Sequence, residues 1–503
     1  MAPEKVDPVR ELMASVVVFL VALPLCIGIA EASGAPAALG LVTGIVGGLV
    51  VGFIAGQPLQ VSGPAAGLLV LVLELIQEFG LPGMALAVLL AGALQLTAGF
   101  LRVGRWFRAV SPAVIQGMLS GIGVLIFASQ FHVMVDDEVK GTGLEKLVSI
   151  PGAIYKAIDP SVGTRAHHLA ALAGVVTIVG ILGWQRFKPS ALKAIPGALV
   201  GVVLGGVLAG LSGFEILFVE VPSNLLDELN WVSRADTATL LSTPKFMFAA
   251  LGLAVIASAE TLLCATAVDR MHDGPRTNYD KELRGQGIGN MICGVLGALP
   301  MTGVIVRSSA NVEAGAKTKW SAVVHGFWLL VLVVTFPSLL ELIPKAGLAA
   351  ILVFTGIKLF NVGAVVKLAK TGRAELIIWL FTVGTIVAVD LLSGVVAGIV
   401  MAMLRLLWTV TNLEVQVEQR DNRYDVTLAG AATFVSLPTL AEALERIPRD
   451  GEIHVHIDTL SYVDHACFEL LEDFRARHPG GVVVETDGLD KRRKGTMKLK
   501  VAD

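Results

Sequence analysis

The chain holds 503 residues, 54% of them apolar and 16% charged, with a mean hydropathy of +0.73. Charged residues fall well below the roughly one quarter usual in soluble domains, so the composition excludes a soluble multidomain protein and points to an integral membrane protein. A formal net charge of -3 gives no basic surface for nucleic acid.

A membrane-crossing helix needs about 20 mostly apolar residues. The apolar runs predict fourteen spans, near residues 11–30, 36–56, 64–79, 82–101, 112–131, 168–185, 194–212, 246–268, 286–299, 303–315, 320–337, 347–361, 374–390 and 392–411. No cleavable leader is expected, because the first run opens early and lacks a small-residue cleavage site. Two runs, 64–79 and 303–315, are too short to cross as continuous helices. Each follows a helix-breaking cluster, Ser62-Gly63-Pro64 and Pro300-Met301-Thr302-Gly303.

With the N-terminus in the cytoplasm, Lys and Arg concentrate in cytoplasmic segments such as Arg102, Arg105, Arg108, Lys317, Lys319, Lys367, Lys370 and Arg373. The long exterior loops, 132–167 and 213–245, are rich in Asp and Glu. Beyond Trp408 the pattern changes. Leu413-Glu414-Val415-Gln416-Val417 and Ile453-His454-Val455-His456-Ile457 alternate like strands, and 437–447 and 465–478 read as helices. Residues 413–503 are therefore expected to form a small cytosolic α/β domain. Lys491-Arg492-Arg493-Lys494 reads as a solvated basic run near the membrane. Cys26, Cys264, Cys293 and Cys467 lie far apart without a CxxC pair and read as small buried hydrophobes.

The short spans are third and tenth of fourteen, the same place in two halves of seven. An odd number of spans per half inverts the second half, and interrupted segments at matching places point to a transporter's midplane site. A helix that starts in mid-membrane leaves unpaired N–H groups and a positive dipole end. Two such starts facing each other make an anion site. Gly63, Pro64, Ala65, Ala66 and Gly67 form one start, with Pro64 in the first helical turn; Thr302, Gly303, Val304 and Ile305 form the other. Ordinary close-packing kinks would give the same local pattern, but not at matched positions.

Arg307, one turn into the second short helix, is either a structural partner for a nearby acid or the positive charge for an anion. Glu260 sits mid-span as a candidate proton acceptor, cation ligand or partner of Arg307. Glu31 and Glu74 also fall in spans. Gln95, Gln116 and Asp390 read as interhelical hydrogen bonds, and His325 as packing. Nothing suggests an enzyme or a cofactor: there is no metal-ligand spacing, phosphate-binding loop or Ser-His-Asp arrangement.

Several runs resemble the SulP anion transporter family, which includes bacterial sulfate, bicarbonate and dicarboxylate transporters. They are Gln60-Val61-Ser62-Gly63-Pro64, Ala259-Glu260-Thr261-Leu262-Leu263, Gly285-Gln286-Gly287-Ile288-Gly289-Asn290, Gly297-Ala298-Leu299-Pro300-Met301-Thr302-Gly303, and the block Arg307 to Thr318. The resemblance implies an α-helical polytopic protein with a seven-plus-seven inverted repeat over 1–412. Its core would cover about 11–101 and 246–337, and its gate about 112–212 and 347–411, with a C-terminal STAS domain at 413–503. It also implies elevator-like motion, a homodimer, and an anion between the starts of helices three and ten.

By that resemblance, Leu25 stands after Pro24 where many relatives carry Gln, so a polar substrate contact is lost. Glu260 and Cys264 stand at the Asp and Thr positions of the sodium-binding branch. Losing an oxygen ligand argues against a sodium site, and Glu at this position resembles the proton-coupled relatives. Ala466 replaces the phosphorylated Ser of regulatory relatives. The expected substrate site is Leu25, Ile29, Ser62, Ala65, Ala66, Gly67, Gly303, Val304, Ile305 and Arg307, with Glu260 and Cys264 in coupling.

The expected function is proton-coupled secondary transport of a small anion across the plasma membrane, both termini cytoplasmic. Bicarbonate, sulfate and a dicarboxylate remain open. An uncoupled channel or an exchanger of the same fold is the alternative.

Overall fold

The computed structural model describes residues 7–105, 111–137, 141–159, 161–189, 192, 195–211, 216–220, 234–420, 423–448, 452–477 and 482–485. The chain forms two compact units, Met1–Ile399 and Val400–Asp503.

In the first unit, α1 (Pro8–Ala32) opens where the Asp7 carboxylate accepts from Val9 N–H at 3.1 Å, with Pro8 in the first turn. α2 (Ala37–Val46) continues through a π-helical turn, Gly47–Val51, into α3 (Gly52–Ile54). β1 (Ser62–Pro64) and a 3-10 turn, Ala66–Leu68, lead into α4 (Leu69–Phe100). Gly80, at φ 70° and ψ 176°, and Pro82 break α4 between the predicted spans 64–79 and 82–101.

Next come α5 (Pro112–Met134), α6 (Gly143–Ile158), α7 (Arg165–Phe187), α8 (Gly197–Leu211), α9 (Arg234–Leu241) and α10 (Pro244–Val268). They are followed by α11 (Tyr279–Val295), β2 (Met301–Gly303), α12 (Ile305–Glu313), α13 (Trp320–Thr335) and α14 (Lys345–Leu359). α15 (Val362–Thr371) and α16 (Arg373–Ala388) follow, and α17 (Leu391–Thr411) begins in the first unit and ends in the second. Among the described residues, eight helical segments are long and apolar enough to cross a membrane; α8 and α13 are shorter apolar helices.

These helices pack in two groups. α4 lies on α10 and α11, and α1 on α2, α12 and α13; separately, α5 lies on α14 and α16, and α7 on α8 and α14. α1 carries most of the seam between groups, against α14 and α8. Within the first group the backbones nearly touch: a Cβ on Gly92 would stand 2.5 Å from Met291 N and 2.7 Å from Gly287 O. Across the seam, a Cβ on Gly28 would meet Leu348 Cβ at an ordinary 3.5 Å. The first group is thus locked tightly, while α1 meets α14 at Gly28 in ordinary van der Waals contact.

Two expected helix starts need correction. Pro64 and Gly303 do not open helices; both lie in strands, and the helical turns begin later, at Ala66 and Ile305. β1 and β2 pair antiparallel, with Ser62 opposite Gly303 and Pro64 opposite Met301. Away from water, exposed backbone groups must find protein partners, and this short ladder supplies them. α11 also starts well before residue 286, because Asn278 caps it by accepting from Lys281 N–H at 3.0 Å. The loops 132–167 and 213–245 contain α6 and α9.

The second unit carries a sheet ordered β3 (Leu413–Arg420), β4 (Arg423–Ala432), β5 (Glu452–Val463), β6 (Val482–Glu485). β3 and β4 are antiparallel, while β4–β5 and β5–β6 are parallel. α18 (Leu437–Glu445) and α19 (His465–Arg477) bury Leu440, Leu444 and Cys467 against Val426, Leu428, Ile453 and Val455. The run Lys491-Arg492-Arg493-Lys494 lies outside the described residues, as do Arg108 and parts of both long loops.

Candidate functional site

The β1–β2 pair sits where two helices begin. Val304 N–H donates to Val61 O at 2.9 Å, and Gly303 N–H to Thr261 Oγ1 at 3.2 Å. The first bond of α12 runs from Ser308 N–H to Val304 O at 2.9 Å, so the N–H groups of Ile305, Val306 and Arg307 lie ahead of it. On the other side Leu68 N–H bonds to Ala65 O at 3.1 Å. Two short helices thus present their amino ends around one paired strand.

Buried side chains hold the strands. Gln286 Nε2 donates to Ser62 Oγ at 2.6 Å and to Glu282 Oε1 at 3.1 Å; Gln60 Nε2 reaches the same carboxylate at 2.7 Å. The other Glu282 oxygen accepts from Gly56 and Gln57 N–H, both at 2.8 Å. Asn290 brackets Met301, accepting from its N–H at 2.8 Å and donating to its carbonyl at 3.1 Å. Asn290 also donates to Gln95 at 2.8 Å. Among the expected interhelical hydrogen bonds, Gln95 makes one. Asp390 does not: it caps α17 locally, accepting from Ser393 N–H at 2.8 Å, and Gln116 Nε2 has no partner.

The two charges occupy different niches. Arg307 is wholly buried against Gly63, where any Cβ would collide with the guanidinium. Its Nη2 reaches Pro64 O at 3.5 Å, while Nε and Nη1 have no partner, and the Cys26 thiol lies beside it. Glu260 is not its partner. The Glu260 carboxylate instead lies against Gly67 and the Thr302 hydroxyl, with Oε2 unpartnered. A Cβ on Gly67 would strike that carboxylate.

Solvent-accessible surface remains on Ala66, Glu260, Val304 and Ile305. Leu25, Ile29, Ser62, Ala65 and Gly67 are buried around them, as are Gly303 and Cys264. Cys264 Sγ lies 3.6 Å from Ser308 Oγ, whose oxygen also accepts from Val61 N–H at 2.9 Å. Sequence reasoning missed Thr261, Gln60, Glu282 and Asn290 as the frame, and placed Thr302 at a helix start without its contact to Glu260. The available signal was Gln60 beside the first break and Asn290 in an apolar stretch before the second; Thr261 and Glu282 carry none that spacing alone reveals. Among the described residues, no group of three or more His, Cys, Asp or Glu could hold a metal ion.

Residues 9–382 match the model of the sulfate permease family, about three quarters of the sequence. The chain belongs to the sulfate permease family. It is 28% identical over 399 residues to the putative sulfate transporter YvdB of Bacillus subtilis, covering 78% of this chain and 72% of that one. Identity to the bicarbonate transporter BicA of Picosynechococcus is 27% over 416 residues, covering 78% and 69%.

Its fold is similar to the transmembrane domain of a cyanobacterial BicA, with a TM-score of 0.65 at 24% identity, covering 78% of this chain and 98% of that one. It is also similar to the murine Slc26a9 anion transporter in the inward-facing state, with a TM-score of 0.79 at 15% identity, covering 98% and 88%. The sulfate permease chain therefore has the helical membrane-transporter fold of these proteins and is a multi-pass membrane protein.

Proposed function

We propose that this chain is a secondary active transporter of a small anion, bicarbonate, sulfate or a dicarboxylate, driven by protons. The observation that carries the reading is the meeting of two helix amino ends at the β1–β2 pair, backed by a buried guanidinium with unpartnered N–H groups. Unpaired N–H groups and two dipole ends favour negative charge. Arg307 adds its field through a low-dielectric wall and does not touch the accessible surface itself. At an effective dielectric near 20, one charge acting through a thin protein wall contributes on the order of 2 kcal/mol. The apolar surfaces of Val304 and Ile305, backed by buried Leu25 and Ala65, suit a small, weakly hydrated anion.

Glu260 is the coupling group. Its carboxylate spans the two starts, against Gly67 of the first and Thr302 of the second, with Oε2 buried beside the partly accessible rest of the residue. Proton loading there changes the charge that the anion meets. Cys264 in place of an oxygen ligand disfavours sodium at this position.

In this reading the group around α1, α4 and α10–α13 carries the site and slides as a rigid core along a gate of α5, α7, α8, α14 and α16. The fourteen spans form two inverted sevens, and residues 413–503 form a STAS domain in a plasma-membrane homodimer with both termini cytoplasmic. Relatives named as sulfate and bicarbonate transporters support the substrate class.

Uptake of labelled bicarbonate, sulfate and fumarate into proteoliposomes, under imposed pH or sodium gradients, tests the reading. Concentrative uptake of one of them with an inward proton gradient is expected. Uptake that ignores the pH gradient and runs far above transporter turnover would assign an uncoupled channel instead.

A further inference from the structure

A cavity of about 370 Å³ opens beside the helix starts, between α1, α4, α5, α6 and α14. Its wall carries Glu31, Gln77, Ser129, Gln130, Lys146 and Lys345. Glu31 lies six residues beyond Leu25 on α1, about 9 Å along the helix, so the cavity adjoins the site already described without coinciding with it. Across the seam, Lys345 Nζ of α14 binds Glu31 Oε2 of α1 at 2.8 Å.

The rest of the polar wall is unsatisfied by protein. Among the described residues, the Lys146 ammonium, the Ser129 hydroxyl and the Gln77 and Gln130 carboxamides make no hydrogen bond or ion pair. Glu74 of α4 reaches Lys146 only through its field. Lys146 is nonetheless held in place. His132 Nε2 lies 3.1 Å from the Lys146 carbonyl O and 3.0 Å from Ser149 Oγ, and Asp137 binds His132 at 3.1 Å and Lys156 at 2.7 Å. A half-buried ammonium, a hydroxyl and two carboxamides around one void offer positive charge and free donors to a solute that enters it.

We propose that this cavity is a second anion site, taking a small oxyanion or carboxylate on Lys146, Ser129, Gln77 and Gln130. The anion also competes with Glu31 for Lys345, so its binding loosens the ion pair that straps α1 to α14. The site thereby stages an anion beside the helix starts and unfastens the seam that the core must slide along. This role rests on the transport reading; the binding itself does not.

The test uses full-length Leu73→Cys protein in liposomes, since Leu73 lines the cavity without contributing a polar group and all four native cysteines are buried. Its modification rate is measured with an anionic (sulfonatoethyl) and a cationic (trimethylammonioethyl) methanethiosulfonate, with and without sulfate or bicarbonate. Adding Lys146→Gln is expected to lower the anionic-to-cationic rate ratio about tenfold. It is also expected to abolish protection by the added anion, whereas adding Arg307→Ala leaves that protection in place. An unchanged ratio, or protection that survives Lys146→Gln, overturns the proposal. Protection lost with Arg307→Ala but kept with Lys146→Gln would confine the anion to the helix starts, leaving the transport reading standing and removing the second site.

Discussion

The two helix starts share a backbone plan but are equipped differently. The first, Ser62 to Leu68, is small and receptive: Gly63 leaves room for Arg307, and Gly67 leaves room for Glu260. The second, Met301 to Ser308, supplies Arg307 itself and the Thr302 hydroxyl that faces Glu260. Both charged side chains therefore press on the first start although neither belongs to it. The two starts do not divide their chemistry equally. One supplies space and the other the guanidinium, and β1 and β2 hold them together.

Breaking that division at its receptive side should have the largest effect. Gly67→Val drives a branched side chain into the Glu260 carboxylate and should abolish anion uptake in proteoliposomes. Size-exclusion chromatography checks that the protein still folds. Glu260→Gln keeps the shape and removes the titrating group. It should eliminate uptake driven by a pH gradient while anion counterflow persists; surviving proton-driven uptake would assign coupling elsewhere.

Gln286→Leu sharpens the role of the frame. It frees Ser62 and takes one donor from buried Glu282, a loss of about 1–3 kcal/mol. A lower Tm with a fall in uptake at saturating anion is expected. Asp137 lies outside the helix starts and should matter least. Burial pushes its carboxyl up, but the bonds from Lys156 and His132 outweigh that and leave it below the usual carboxylate range. A depressed folded pKa stabilises above the unfolded value of about 3.9 and is lost as pH falls through the folded one. Asp137→Asn should therefore lower Tm at pH 7, with the gap to wild type closing in acid.

Much of this was legible in the sequence. Apolar runs located the helices because lipid demands long hydrophobic segments, and the breaks at 62–64 and 300–303 stood out against them. The strands did not, because three-residue ladders leave no periodicity to read. Pro64 looked like a first helical turn for the same local reason that it fits a strand end: its missing N–H costs nothing in either place. Arg307 and Glu260 stood out as charges in apolar runs. Whether they paired depended on which face of α10 and α12 each occupied, which spacing alone does not fix. The cavity around Lys146 was illegible, since its walls come from five helices distant in sequence.

Titrating sulfate, bicarbonate and fumarate into purified wild-type and Arg307→Ala protein tests the central claim most directly. For whichever anion the wild type binds, Arg307→Ala should weaken affinity by about 2 kcal/mol, roughly thirty-fold, in a protein that elutes and melts as a folded species. Wild-type affinity in that variant would contradict the account.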